Sequence, residues 1–221
     1  MCWLALDAAI DLASALGARD RPQEWTRVGD AIHAAACERG WNAQRGCFVQ
    51  SFGSDALDAS ALMLSIVGFL PSRDPRIVAA IAAIARELTD ERGLVYCYRG
   101  GDGLEGDEGT FLMCTFWLAH AYALGDDRAR AEATFTSALR CANGLGLFSE
   151  EIDSSGEPLG NFPQAFSHVG LVNAARRSRN STRAVRDVVR RDFQRSTASA
   201  AAAGPTASSR AFSKTRVRSW P

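Results

Sequence analysis

The 221-residue chain has 47% hydrophobic residues, which is enough apolar content for one domain with a buried core. Its net charge is zero, but the residues after Ala175 include 12 basic and 2 acidic side chains, so residues 1–175 carry a net charge of −10. An acidic body argues against a nucleic-acid-binding protein. No apolar run approaches the roughly 20 residues that span a bilayer, which argues against a membrane protein.

The cysteines and the first residues indicate the compartment. The six cysteines include no C-x-x-C pair, and four of them fall within helix-like apolar patterns, so free thiols in a reducing environment are expected. The sequence around Met1 lacks the basic start of a secretory signal peptide. The histidines show no metal-ligand spacing. The sequence therefore predicts a soluble, cytoplasmic protein that holds no metal.

Apolar residues at three- and four-residue spacing predict four helices in the first half of the chain. They cover residues 1–17, 22–39, 54–70 and 75–88. Ser54 or Asp55 is the expected cap of the third helix, whose nearly continuous apolar surface is typical of an inner helix. The first helix is already under way at Met1, which predicts that part of the fold precedes this chain.

The second half alternates loops with three more helices. Residues 94–99 are short, aromatic and expected to be extended, and the glycine-rich residues 100–109 cannot pack as a helix. Helices are predicted over residues 108–124, 128–141 and 163–176, the last beginning at Pro163. Strongly apolar helices alternate with more amphipathic ones, as two concentric layers of helices require. The predicted fold class is therefore all-α.

Residues 178–221 form a tail of different composition. Arg, Ser, Thr and Ala dominate it, and little apolar periodicity survives beyond Val189. Such a segment cannot bury enough apolar area to offset its ordering entropy, so it is predicted to be disordered. Its positive charge leaves open a contact with nucleic acid or an anionic lipid, although no aromatic residues are interleaved with the arginines.

The chain is organised around the acidic pair Glu150 and Glu151, which lies in a glycine-flanked loop after an amphipathic helix. Loops placed by a rigid scaffold carry catalytic side chains more often than helix interiors do. The pair is therefore a candidate catalytic centre. The alternative is an acidic loop that is only solvated.

Four blocks of sequence carry a further signal. They are MCWLALD at residues 1–7, FGSDALDAS at 52–60, EGTFLMCTFWL at 108–118 and GNFPQAFSH at 160–168. Together and in this order they resemble glycoside hydrolase family 15, in its bacterial branch of glucoamylase-like and trehalase-like enzymes. The resemblance implies that residues 1–177 are the C-terminal portion of the catalytic domain, an incomplete (α/α)6 barrel with about seven of roughly twelve helices.

The resemblance also implies a reaction, the inverting hydrolysis of terminal α-glucosidic bonds in α-1,4-glucans, maltooligosaccharides or trehalose, without a metal or other cofactor. Inversion uses two carboxyl groups about 6.5–9.5 Å apart, an acid that protonates the leaving oxygen and a base that activates water. Glu150 matches the family's general base, and Glu151 is expected to hydrogen-bond to it or tune it. The family's general acid lies in a Trp-Glu segment that precedes residue 1, so this chain alone is expected to be impaired.

Four further residues are expected to bind the sugar. Arg99 matches the arginine that holds sugar hydroxyls next to the point of cleavage. Asp107 and Glu108, at the start of an inner helix, and Phe166, which stands where other members have a tryptophan, are expected to line the same funnel. Glu108 has an alternative role as a favourable charge at a helix N-terminus.

Two other functions stay open at the level of sequence. One is a truncated, non-catalytic remnant or carbohydrate-binding helical domain. The other is a helical interaction scaffold whose basic tail binds nucleic acid.

Overall fold

The computed structural model describes residues 1–15, 17–18, 21–100 and 108–177. Seven α-helices occur in these residues, namely α1 Cys2–Leu12, α2 Pro22–Arg39, α3 Met63–Ile66, α4 Pro75–Glu87, α5 Leu112–Leu124, α6 Arg128–Leu139 and α7 Ala165–Arg177. Five strands of two residues each accompany them, namely β1 Trp41–Asn42, β2 Cys47–Phe48, β3 Thr110–Phe111, β4 Glu151–Ile152 and β5 Pro158–Leu159. The all-α prediction is confirmed. Asp107 and the predicted tail, residues 178–221, lie outside the described residues.

Two helix starts follow directly from proline. Pro22 and Pro75 open α2 and α4, where the missing N–H of proline costs no intrahelical hydrogen bond. Asp74 caps α4, because its carboxylate accepts a hydrogen bond from the Arg76 N–H at 2.9 Å. These two helices begin where the sequence predicts them.

The predicted inner helix over residues 54–70 is wrong in length. Only a 3₁₀ turn, Ala59–Leu62, and the single turn of α3 are helical there, and the cap is Asp58 rather than Ser54 or Asp55. The reason lies in a long-range pairing. Asp58 is extended and bridges Tyr98, while the Ala59 N–H donates to the Cys97 carbonyl at 2.8 Å. These long-range contacts hold Asp58 in an extended conformation, so no helix starts before Ala59.

The region around the acidic pair also differs from the prediction. Thr110 and Phe111 form β3, so α5 begins at Leu112 and Glu108 precedes a strand, not a helix N-terminus. The expected acidic loop contains β4, the central strand of the antiparallel sheet β3–β4–β5. Pro163 precedes α7 by two residues and does not lie within it.

Helix α5 is the centre of the fold and is buried on both sides. One face packs into a core with α3 and α4 through Cys114, Leu118 and Tyr122. The other face contributes Leu112, Phe116 and Ala119 to a second core with α6 and α7. Gly170 of α7 faces Phe116 so closely that an added Cβ would lie 3.1 Å from the Phe116 Cβ. The prediction of an inner helix is correct for α5.

The first two helices pair with each other at one side of the molecule. Trp3 of α1 meets Phe69 edge to face, with ring centroids 5.1 Å apart, and the His33 ring of α2 stacks on the same phenylalanine. Within α1 no residue is fully buried, and within α2 only Gly29 is. None of the described helices combines the length and apolar composition that a bilayer crossing requires.

Candidate functional site

Glu150 is held by backbone hydrogen bonds on both of its sides. The Leu112 N–H at the start of α5 donates to the Glu150 carbonyl at 3.1 Å, and the Glu150 N–H donates to the Asn161 carbonyl at 3.0 Å. Glu150 immediately precedes β4, so it lies between the entrance of the central helix and the strand that leads to α7. This position fixes its backbone more firmly than a surface loop would.

The Glu150 carboxylate has one oxygen fixed and one oxygen open. Its Oε2 accepts hydrogen bonds from both the backbone N–H and the side-chain Nδ2 of Asn161, each at 3.0 Å. Its Oε1 accepts no hydrogen bond from any residue that the structure describes. The side chain is half-buried. A carboxylate held in this way can accept a proton at the open oxygen.

Gly160 makes room for this arrangement. Glu151 pairs with Leu159 and Ile152 with Pro158, so the next step of the register places Gly160 opposite Glu150. A Cβ on Gly160 would lie 2.8 Å from Glu150 Oε2 and 3.0 Å from Glu150 Cβ. Gly160 also has a φ of +74°, which side chains rarely adopt. Both observations require glycine here.

The chain on either side of Glu150 is anchored in the core. Phe148 is buried, and its ring meets the Phe116 ring of α5 edge to face at 5.7 Å. Buried Ser167 of α7 donates its hydroxyl to the Ser149 carbonyl at 2.8 Å, and the Ser149 hydroxyl donates to the Glu151 carbonyl at 2.7 Å. Helices α5 and α7 therefore set the position of the acidic pair.

Glu151 belongs to a different environment from Glu150, because successive side chains along a strand point to opposite faces. Its Oε2 accepts from the Gly109 N–H at 3.3 Å, next to Glu108. Glu108 in turn accepts a hydrogen bond from the Tyr98 hydroxyl at 3.2 Å. The structure thus brings two predicted site residues, Glu108 and Glu151, to either side of Gly109.

The Cys97 thiol lies near the carboxylates of Glu108 and Glu151. A hydrogen bond with Cys114 lowers the pKa of Cys97, against the opposing effects of burial and of the carboxylates of Asp58, Glu108 and Glu151. Cys114 is buried in α5, and the same hydrogen bond together with burial raises the pKa of its thiol. The three carboxylates come from separate segments, and each lies close enough to Cys97 to act on its thiol.

Two other predicted site residues, Arg99 and Phe166, lie on exposed surface. The Arg99 guanidinium lies over the Tyr96 ring, 4.4 Å from its centroid, which holds the cation by a cation–π contact. Phe166, in the first turn of α7, is 60% exposed. Among the described residues, no group of three or more His, Cys, Asp or Glu side chains is arranged to hold a metal ion.

Asn161 and Gly160 were missed as site residues by the sequence analysis, which used them only as part of a block. A glycine facing an acidic residue across a hairpin would have been the signal. That signal needs the β4–β5 register, and strands of two residues leave no periodic pattern to read.

The model of one protein family, described as glycosyl hydrolases family 15, matches residues 1–176. The chain belongs to glycosyl hydrolases family 15. Among its relatives, the trehalase of Mycobacterium tuberculosis is 45% identical over 178 residues, covering 79% of this chain and 26% of that protein. The trehalase of Thermoplasma volcanium is 42% identical over 176 residues, covering 79% of this chain and 28% of that protein. The chain therefore spans less than a third of the length of these two relatives.

The fold is shared with solved glycosidases. A wild-type glycosidase superposes with a TM-score of 0.66 at 19% sequence identity, covering 77% of this chain and 48% of that chain. A variant of that kind, solved in complex with glucose, superposes with a TM-score of 0.64 at 20% identity and the same coverage. The prediction of a partial helical barrel is confirmed.

Proposed function

We propose that this chain carries the general-base part of an inverting α-glucosidase site and that Glu150 is the base. One observation supports this above the others, namely that the Glu150 carboxylate has Oε2 fixed by Asn161 and Oε1 open. An inverting hydrolase needs a carboxylate that holds a water molecule against the sugar carbon and takes its proton. A rigid carboxylate with one open oxygen has this geometry.

Trehalose is the proposed substrate. The relatives at 42–45% identity are trehalases, whereas the solved glycosidases at 19–20% identity support only the fold. In trehalose the bond to be cleaved joins two glucose units through their anomeric carbons. Water activated by Glu150 would attack one of these carbons, and a second carboxyl group would protonate the departing oxygen.

The other predicted site residues have proposed roles in holding glucose. Arg99 would donate to sugar hydroxyls from its place over Tyr96, and Phe166 would offer an exposed ring face at the start of α7. Glu108 and Glu151, which lie next to Gly109, would accept hydrogen bonds from sugar hydroxyl groups. Asp107 is assigned to the same funnel from the family resemblance.

A hybrid enzyme tests the proposal. Residues 1–176 replace the matching 178 residues of the Mycobacterium tuberculosis trehalase, which supplies the rest of the fold. We expect the hybrid to hydrolyse trehalose and Glu150→Gln to lower kcat by roughly 10²–10⁴-fold, because the base is lost while its shape is kept. Glu157→Gln, an exposed glutamate in the same hairpin, is the matched control and should leave kcat unchanged.

Glucose release measured by a coupled assay decides the outcome. Full activity of the hybrid after Glu150→Gln would show that Glu150 is not the base. A folded hybrid without any hydrolysis would favour the alternative of a non-catalytic carbohydrate-binding domain.

A further inference from the structure

We propose that Asn161 is the positioning residue of this site, holding the Glu150 carboxylate in the one orientation that presents Oε1 to water. The inference rests on the proposed function of Glu150 as the general base. It is drawn from the pair of hydrogen bonds from Asn161 to a single carboxylate oxygen.

Two donors of the same residue restrict the carboxylate more than one donor does. The backbone N–H and the Nδ2 of Asn161 converge on Oε2 at 3.0 Å each, from two directions. The backbone of Asn161 is itself fixed, because its carbonyl accepts the Glu150 N–H at 3.0 Å. Rotation of the carboxylate would break both hydrogen bonds to Oε2, so the orientation of Oε1 is set as well.

The uncharged side-chain amide of Asn161 is suited to positioning a general base. Asn161 donates hydrogen bonds without carrying a charge, so it orients the carboxylate without adding a full positive charge that would make it a poor proton acceptor. An aspartate at this position would place a second carboxylate against Oε2, and an arginine would form an ion pair with it. The two uncharged donors of Asn161 thus orient the Glu150 carboxylate and leave it able to accept a proton.

Gly160 provides the space that the two hydrogen bonds from Asn161 to Glu150 need. With glycine opposite Glu150, Oε2 can sink toward the hairpin backbone, where both donors of Asn161 reach it. Gly160 thus supplies the space, and Asn161 supplies the two donors. Both residues are needed to position the Glu150 carboxylate.

The test uses the full 221-residue chain and α-D-glucosyl fluoride, because the C1–F bond breaks without a proton donor. The oxygen of water bonds to C1, Glu150 takes a proton of that water, and fluoride leaves with the electron pair of the C1–F bond, giving β-glucose. Fluoride release is followed with an ion-selective electrode. We expect Asn161→Ala to lower kcat by about 10- to 100-fold with little change in KM.

Azide rescue separates positioning from a merely structural role. In Glu150→Ala, azide attacks C1 directly, fluoride leaves with its electron pair, and no base is needed. Adding Asn161→Ala to Glu150→Ala should leave the azide-dependent rate unchanged, because no carboxylate remains to be positioned. An equal loss in the rescued rate, or no loss in the parent chain, would overturn the inference.

A spectroscopic measurement decides the inference even if the chain turns over no substrate. In ¹⁵N-labelled chain, the side-chain amide signal of Asn161 is identified by its disappearance in Asn161→Ala. We expect this signal to shift in Glu150→Gln and to stay in place in the matched variant Glu151→Gln. An Asn161 signal that ignores Glu150→Gln, or moves equally with Glu151→Gln, would overturn the inference. Fluoride release that survives in Glu150→Ala without azide would instead count against the proposed function.

Discussion

Two identical neighbouring side chains have different environments in this site, and the backbone decides which is which. Glu150 lies on the face where Gly160 leaves space and Asn161 supplies donors. Glu151 points to the opposite face, toward Gly109 and the carboxylates near Cys97. The difference between a proposed base and a proposed sugar-binding residue is thus one step along a strand.

The requirement for glycine at position 160 can be tested against a second glycine. We expect Gly160→Ala to cost more free energy of unfolding than Gly146→Ala and to lower kcat of the hybrid. Both positions have positive φ, so alanine costs about 1–2 kcal/mol at either. Only at Gly160 would the new Cβ also contact the Glu150 carboxylate, whereas nothing lies within 4 Å of a Cβ at Gly146. Urea denaturation measures the difference, and equal losses at the two positions would contradict it.

At the level of elements, the sequence predicts helices well where their signals are local. Pro22, Pro75 and the buried pattern of α5 are visible in the sequence, and α2, α4 and the core role of α5 agree with prediction. The failures share a cause. The segment before Ala59 pairs with Tyr98, and Glu151 of the acidic pair pairs with Phe111; both partners are distant in sequence. Two-residue strands have no periodicity of their own, so Asn161 could not be placed beside Glu150 without the fold.

Asp74, the N-cap of α4, allows a prediction of how stability changes at acidic pH. Hydrogen bonds from the Arg76 side chain are the largest cause that lowers the pKa of Asp74 from 3.8 to about 2. A carboxyl group with a lowered pKa in the folded state stabilises the fold above pH 3.8, and this contribution is lost as pH falls through about 2. Asp74→Asn keeps a capping oxygen and removes the charge. We expect it to lower Tm at pH 7 and to have a much smaller effect on Tm near pH 2.

Thermal unfolding followed by circular dichroism at a series of pH values measures this effect. Asp11→Asn removes the same charge from the exposed surface of α1 and controls for the change in net charge. A difference in Tm between Asp74→Asn and the parent chain that stays constant down to pH 2 would rule out the ion pair as its source.

At the scale of the whole molecule, the described surface includes an uncovered apolar strip. Phe162, Val169 and Val172 are each 47–55% exposed and lie along the entrance and outer face of α7. Contiguous exposed apolar surface marks a place where another part of a protein packs. We therefore expect another polypeptide segment to pack against this strip.

This expectation predicts how the isolated chain behaves in solution. We expect the 221-residue chain to bind a hydrophobic dye and to self-associate, and the double variant Val169→Ser/Val172→Ser to reduce both. Val78→Ser removes an equally exposed valine from α4 and should have a much smaller effect, because a single apolar residue makes no patch. Dye fluorescence and sedimentation velocity compare the variants. A monodisperse parent chain that binds no dye would refute the prediction.

The length of the hairpin between Glu150 and Asn161 can vary only in a restricted way. Its tip is closed by Asp153, whose carboxylate accepts from the Ser155 and Glu157 N–H groups at 2.8 Å each. Insertions that add equally to both strands would move this tip outward and leave Gly160 facing Glu150. A single residue added to one strand would slip the register and turn Asn161 to the other face. We therefore expect related sequences to differ here by equal additions to both strands. Such additions lengthen the hairpin and leave the Glu150 carboxylate in place.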